Sequence, residues 1–159
     1  MAKFYTGIGA KRSPKFILLK MKRISRKLDR KGYTLRSGAA KGADSYFESG
    51  SSRKEIFLPF KGFNDNKSKL YDIDDEYFKI SNLYAKDFEK ETYEEQCFIA
   101  RDTQQVINNG IKSDFVICWT RDNATNANYK RKRTGGTWYA IALASYLDIP
   151  VINLRSFFK

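Results

Sequence analysis

The feature that most constrains this chain is a repeated order along it. A short run of branched and aromatic residues comes first, then a turn of glycine and small residues, then a helical pattern. Residues 3–8 read as a strand running into Gly7-Ile8-Gly9. Ser13-Pro14 reads as an N-cap followed by proline at the first helical position. Ile17, Met21, Ile24 and Leu28 then recur at spacings of four, three and four, the period of an amphipathic helix. Its other face carries Lys20, Lys22, Arg23, Arg26, Lys27 and Arg30, and Gly32 supplies the stop. Residues 33–36 form a second strand closed by Ser37-Gly38, and residues 41–50 a second helix with Lys41 at its start. Residues 55–58 form a third strand, ended by Pro59.

Beyond Pro59 the order is interrupted and then resumes. Residues 60–75 read as a loop and 76–87 as a helix, so that about 60–90 forms an insert. Residues 93–109 read as a helix with Cys97, Ala100, Gln104 and Ile107 on one side. Residues 115–119 are a continuous apolar strand of the kind buried in a parallel sheet. Residues 121–134 read as a polar surface loop, 137–147 as an apolar helix and 150–154 as the last strand. This alternation predicts an α/β domain over residues 1–159, with a mostly parallel sheet of about five strands. Right-handed crossovers predict successive helices on the two faces. Ligands of such sheets sit at the carboxyl ends of the strands, which is where the glycine-bearing turns fall.

Composition narrows the chemistry. The chain has no histidine, which excludes Ser-His-Asp and Cys-His catalysis and any His-ligated metal site. Its two cysteines, Cys97 and Cys118, sit in apolar contexts with no CxxC partner. They read as buried side chains suited to a reducing cytoplasm. No apolar run approaches the ~20 residues of a membrane helix, so a cytoplasmic location and no membrane partner are expected. Lys and Arg number 30 against 18 Asp and Glu, and the excess is uneven. Residues 1–61 carry 16 basic and 4 acidic side chains, while residues 62–100 carry 5 and 10. A polarised surface of net charge +12 points to a polyanionic partner.

Three turns are candidate phosphate sites. In the first, Gly7 and Gly9 bring backbone close to an anion and Lys11 and Arg12 add charge. It lacks the third glycine and the acidic residue of a dinucleotide fingerprint. In the second, Ser37, Gly38, Lys41 and Asp44 surround small residues. Asp44 has two open roles there, helix-end stabilisation and ligand contact. In the third, Gly135, Gly136 and Thr137 open the apolar helix and offer backbone N–H groups and a hydroxyl. A side chain at Gly135 is expected to obstruct that nest. The preceding run, Lys130, Arg131, Lys132 and Arg133, is a candidate nucleic-acid contact. Among the aromatics, Tyr5, Tyr33, Phe60, Phe63, Trp119, Tyr129 and Trp138 lie near strand ends or loops, with Phe63, Tyr129 and Trp138 as the stacking candidates.

Taken in order, Gly7-Ile8-Gly9, Ser37–Asp44, Ala100-Arg101-Asp102, Gly135-Gly136-Thr137 and the closing residues 149–154 resemble the SLOG superfamily. That group joins the DNA-processing DprA/Smf proteins to the Lonely Guy (LOG) nucleotide hydrolases. The most specific piece is Ser37–Asp44, similar to the S-G-x-A-x-G-[IA]-D signature of DprA. The resemblance implies a Rossmann-like, doubly wound sheet with helices on both faces and a pocket over the strand ends. In DprA that pocket binds single-stranded DNA, and Arg101 joins the candidate ligand contacts by the same resemblance. DprA carries Arg-Asn where this chain has Arg101-Asp102. The LOG motif G-G-x-G-T-x-x-E places its catalytic Glu where this chain has Ala140. The expectation is therefore binding of single-stranded DNA or a nucleotide-derived ligand, without catalytic residues, cofactor or metal. The alternatives are sequestration of a small nucleotide signal by a phage or bacterial protein, and a nucleoside-monophosphate N-glycosidase in which Asp44 or Asp102 replaces the Glu. DprA-like proteins also suggest a homodimer. Lys41→Ala and Arg101→Ala are expected to weaken ligand binding with little loss of stability.

Overall fold

A computed structural model describes residues 2–158. Five parallel strands form one sheet, in the spatial order third, second, first, sixth and seventh of the chain's strands. In chain order, β1 (Lys3–Gly7) leads to α1 (Lys15–Arg30), β2 (Tyr33–Ser37), α2 (Ala43–Gly50) and β3 (Lys54–Ile56). Then follow α3 (Asp75–Tyr84), α4 (Tyr93–Val106) and a hairpin of β4 (Ile107–Asn108) and β5 (Ile111–Lys112). The chain closes with β6 (Phe115–Cys118), α5 (Arg131–Thr134), α6 (Trp138–Tyr146) and β7 (Val151–Asn153). This is the Rossmann-like, doubly wound arrangement, and strand order reverses between β1 and β6.

Helices cover both faces but do not alternate one by one. Helices α1 and α2 pack together on one face, over Tyr5, Leu35 and Ile117. Helices α4 and α6 cover the other, over Val116 and Cys118. The reason is topological: the chain winds outward from β1 to β3 along one face, then returns beside β1 and winds outward along the other. Ile17 and Met21 of α1 are fully buried, each contributing about 1.5–3 kcal/mol through removal from water.

Several boundaries differ from the sequence expectation. Ser13 does not cap α1; its hydroxyl donates back to the Ala10 carbonyl (2.7 Å), and Pro14 occupies the cap position. Lys41 precedes α2, because Gly42 takes φ +89° and the helix begins at Ala43. Helix α4 stops at Val106, where Asn109-Gly110, both at positive φ, turn the chain into the hairpin. The segment expected as loop to residue 134 ends in the short helix α5. Tyr5 and Trp119 are core residues, not rim aromatics.

Both cysteines are buried, and burial pushes the Cys118 thiol well above its ordinary range. Among the described residues, no helix is long and apolar enough to cross a membrane.

Candidate functional site

A cavity of about 430 Å³ opens over the carboxyl end of β1, the strand at which the sheet order reverses. Its floor is the end of β1, where Ile8 and Ala10 donate N–H bonds to Ile117 and Trp119 (both 3.1 Å) and so extend the β1–β6 pairing. Gly9 lies in that floor, and a Cβ there would come within 2.8 Å of Ala43 Cβ. One wall is α4, which presents Glu95, Phe98, Arg101, Asp102 and Gln105. The opposite wall is the approach to α6, with Arg131, Thr134, Gly135, Gly136 and Thr137. Phe63, from a short 3-10 turn in the 60–90 segment, closes the rim against Phe98 (ring centroids 5.4 Å).

The turn from Ser37 to Asp44 is engaged by the protein itself. The Ser37 hydroxyl donates to the Gly7 carbonyl (2.6 Å) and lies outside the cavity. The Gly38 carbonyl accepts from an Arg101 Nη, and a Cβ on Gly38 would collide with Arg101 and Gln105. A Cβ on Gly42 would meet the Lys11 carbonyl oxygen at 2.5 Å. Asp44 accepts from the Ala40 N–H (3.2 Å), so its carboxylate braces the turn while lining the cavity. Gly7 also stands behind the wall; Phe47 and Leu35 fill the space a Cβ would need.

Two carboxylates and one guanidinium form the buried charge of the site. Arg101 is only 6% exposed, and its Nε donates to Asp102 (2.9 Å). Burial pushes Asp44 up to about 7, opposed chiefly by the Arg101 charge. Burial likewise pushes Asp102 up to about 6, again opposed by Arg101. The burial of Arg101 changes the expectation that its removal leaves stability intact: truncation would strand the Gly38 carbonyl and two acidic neighbours.

The turn from Thr134 to Thr137 is different. Gly135 takes φ +85°, and Cβ atoms built on Gly135 or Gly136 would meet open space. A side chain at Gly135 is therefore opposed by backbone strain, and it would meet no protein atom but project into the open space of the nest. Among the described residues, the N–H groups of Gly136 and Thr137 have no protein acceptor; those of Trp138 and Tyr139 are taken by Gly135 and Gly136 carbonyls. Thr134 is fixed by its hydroxyl, which donates to Asp122 (2.6 Å). The Arg131 guanidinium lies 5.0 Å from the Tyr139 ring, which holds it over the same opening. With Lys11 on the floor, the positive end of α6 and these donors give the cavity an anion-seeking corner.

The structure thus brings Gly9, Lys11, Asp44, Arg101, Gly135, Gly136 and Thr137 to one cavity, with Arg131 from the basic run. Arg12, Lys41, Lys130, Lys132 and Arg133 are exposed outside it. Trp138 donates its indole N–H to the Tyr129 carbonyl (2.8 Å), and neither ring lines the cavity. Sequence reasoning missed Glu95, Phe98 and Gln105. Their signal was a second face on α4, with Glu95, Phe98, Asp102 and Gln105 at spacings of three, four and three. Ala140, in the first turn of α6, lines the cavity. No protein-family model, no curated protein and no solved structure matches this chain.

Proposed function

We propose that the cavity is a binding site for a nucleotide phosphate, carried by a free nucleotide or by single-stranded nucleic acid, in a SLOG-like protein. The observation that carries this reading is the pair of unpartnered N–H groups at Gly136 and Thr137, opening α6 beside Arg131 and Lys11. Backbone donors at a helix N-terminus favour a dianionic group, and two cations within the same cavity add charge-assisted contacts. Phe63 and Phe98 supply an aromatic rim for a base, worth about 1–3 kcal/mol where stacking occurs. Calorimetric titration with nucleoside 5′-monophosphates and with the matching nucleosides tests it. The phosphorylated series binds and the nucleosides bind at least about tenfold more weakly; equal affinity for both would remove the phosphate from the account.

A second reading, hydrolysis of the N-glycosidic bond, is favoured by one observation. Asp44 and Asp102 share the cavity, and burial raises both into the range of a working general acid or base. Free base released from a nucleoside monophosphate, and lost in Asp44→Asn or Asp102→Asn, is the outcome that would favour it over binding alone.

A further inference from the structure

Helix α1 carries a cationic stripe that the cavity does not use. Lys15, Leu19, Arg23, Arg26 and Arg30 fall on one line of the helix, at spacings of four, four, three and four. The opposite side, Ile17, Leu18, Met21 and Ser25, is buried against the sheet. Arg23, Arg26 and Arg30 are exposed, and among the described residues no carboxylate lies within ion-pair distance of them. The one acid of the helix, Asp29, is engaged elsewhere: it accepts from the N–H groups of Ser52 and Arg53 (3.0 and 2.9 Å). A solubilising surface interleaves both signs; this one does not.

The stripe also starts at the cavity. Lys11 lines the cavity, Arg12 is exposed, and α1 begins three residues later. From there the helix runs about 24 Å along the flank of the protein, at about 1.5 Å per residue. Phe16, beside Lys15 at the cavity end, is 50% exposed and offers a ring to a base. Resting on the reading of the cavity given above, we infer that the exposed face of α1 is a phosphate-backbone track, so that the partner is a single-stranded nucleic acid running from the cavity along α1. An anionic membrane is the poorer partner, because an interfacial helix must offer a broad apolar face to lipid, and Ile17, Leu18 and Met21 of α1 are in the core, leaving only Phe16 and Leu19 on the exposed side.

The test is fluorescence anisotropy with a labelled single-stranded oligothymidylate of roughly 16 nucleotides, over a salt series. It compares the natural chain, R23Q/R26Q/R30Q, R23K/R26K/R30K and Arg131→Gln, with thymidine 5′-monophosphate titrated in parallel. The Gln triple variant is expected to lose affinity for the oligomer at least about tenfold. Its log–log salt slope should shrink by about 2, at about 0.7 per phosphate released. Its monophosphate affinity is unchanged, and the Lys triple variant keeps the slope. Unaltered oligomer affinity and slope in the Gln triple variant would overturn the track, and so would charge-dependent binding to phosphatidylserine vesicles with none to the oligomer. Arg131→Gln separates the two sites. If it leaves monophosphate affinity unchanged while the triple variant still loses the oligomer, the cavity reading falls and the track stands.

Discussion

The turns at 37–44 and 134–137 both carry glycines and both lead into helices that border the cavity, yet they behave as opposites. In the first, the Ser37 hydroxyl, the Gly38 carbonyl and the Asp44 carboxylate each have a partner within the protein, and Gly42 is wedged against the Lys11 carbonyl. In the second, two backbone N–H groups have none among the described residues and the space above both glycines is open. A small-residue turn at a strand end therefore has two uses. It lets protein approach protein, as at Gly38 and Gly42, or it leaves room for a ligand, as at Gly135 and Gly136. The more distinctive motif, Ser37–Asp44, is the scaffold, and the shorter one holds the free donors.

The comparison breaks most visibly at the glycines. Gly42→Val is expected to cost about 4 kcal/mol or more, since it adds strain at φ +89° to a collision with the Lys11 carbonyl. Gly136→Ala, in open space, should change stability by less than about 0.5 kcal/mol. Denaturant unfolding of both variants checks the contrast, and comparable losses would erase it. Arg101→Ala comes next, at about 3 kcal/mol, because it leaves buried partners unpaired on both the turn and α4. A loss below about 1 kcal/mol would mean that Arg101 is not structural.

Asp44 gives an effect that depends on pH. Its ordinary value of 3.8 is pushed up to about 7 in the folded chain. The folded protein thus keeps a proton that the unfolded chain releases near pH 4. Stability contributed by the protonated form is complete below about pH 4, declines as pH rises, and levels above about pH 7. The decline is bounded at about 4 kcal/mol, and Asp102 adds a decline of the same sign ending near pH 6. Asp44→Asn should remove the Asp44 share and equal or exceed the natural chain in stability at pH 8. Unfolding curves at pH 4, 6 and 8 decide it, and an unchanged pH dependence would contradict the buried-carboxyl account.

The strands of the main sheet, and helices α1, α2, α4 and α6, were legible because hydrophobic period and terminal glycine are local signals. Gly42 carried more information than its place in a motif suggested, since its positive φ and its close tertiary contact with Lys11 both demand glycine. The hairpin at 107–112 was hidden because Ile107 continued the helical spacing of α4, although Asn109-Gly110 marks a tight turn. The cavity was located correctly from the strand ends, but its α4 wall was not, because one helix there serves two purposes. Its Cys97 and Ala100 side faces the core while Phe98, Asp102 and Gln105 face the opening. Nor does sequence separate Arg131 from Lys130, Lys132 and Arg133; only the Tyr139 ring beneath its guanidinium does.

The central claim is that the free N–H groups before α6 hold a phosphate. Thr137 sits at φ −60°, a value proline adopts without strain, and among the described residues its N–H has no acceptor. Thr137→Pro therefore deletes one donor and little else, with Thr137→Ala as the control for the hydroxyl. Calorimetric titration of these two variants and the natural chain with a nucleoside 5′-monophosphate is the direct measurement. The account predicts that the proline variant folds as well as the alanine variant but binds about tenfold more weakly or worse. Equal affinity in the two variants would contradict it.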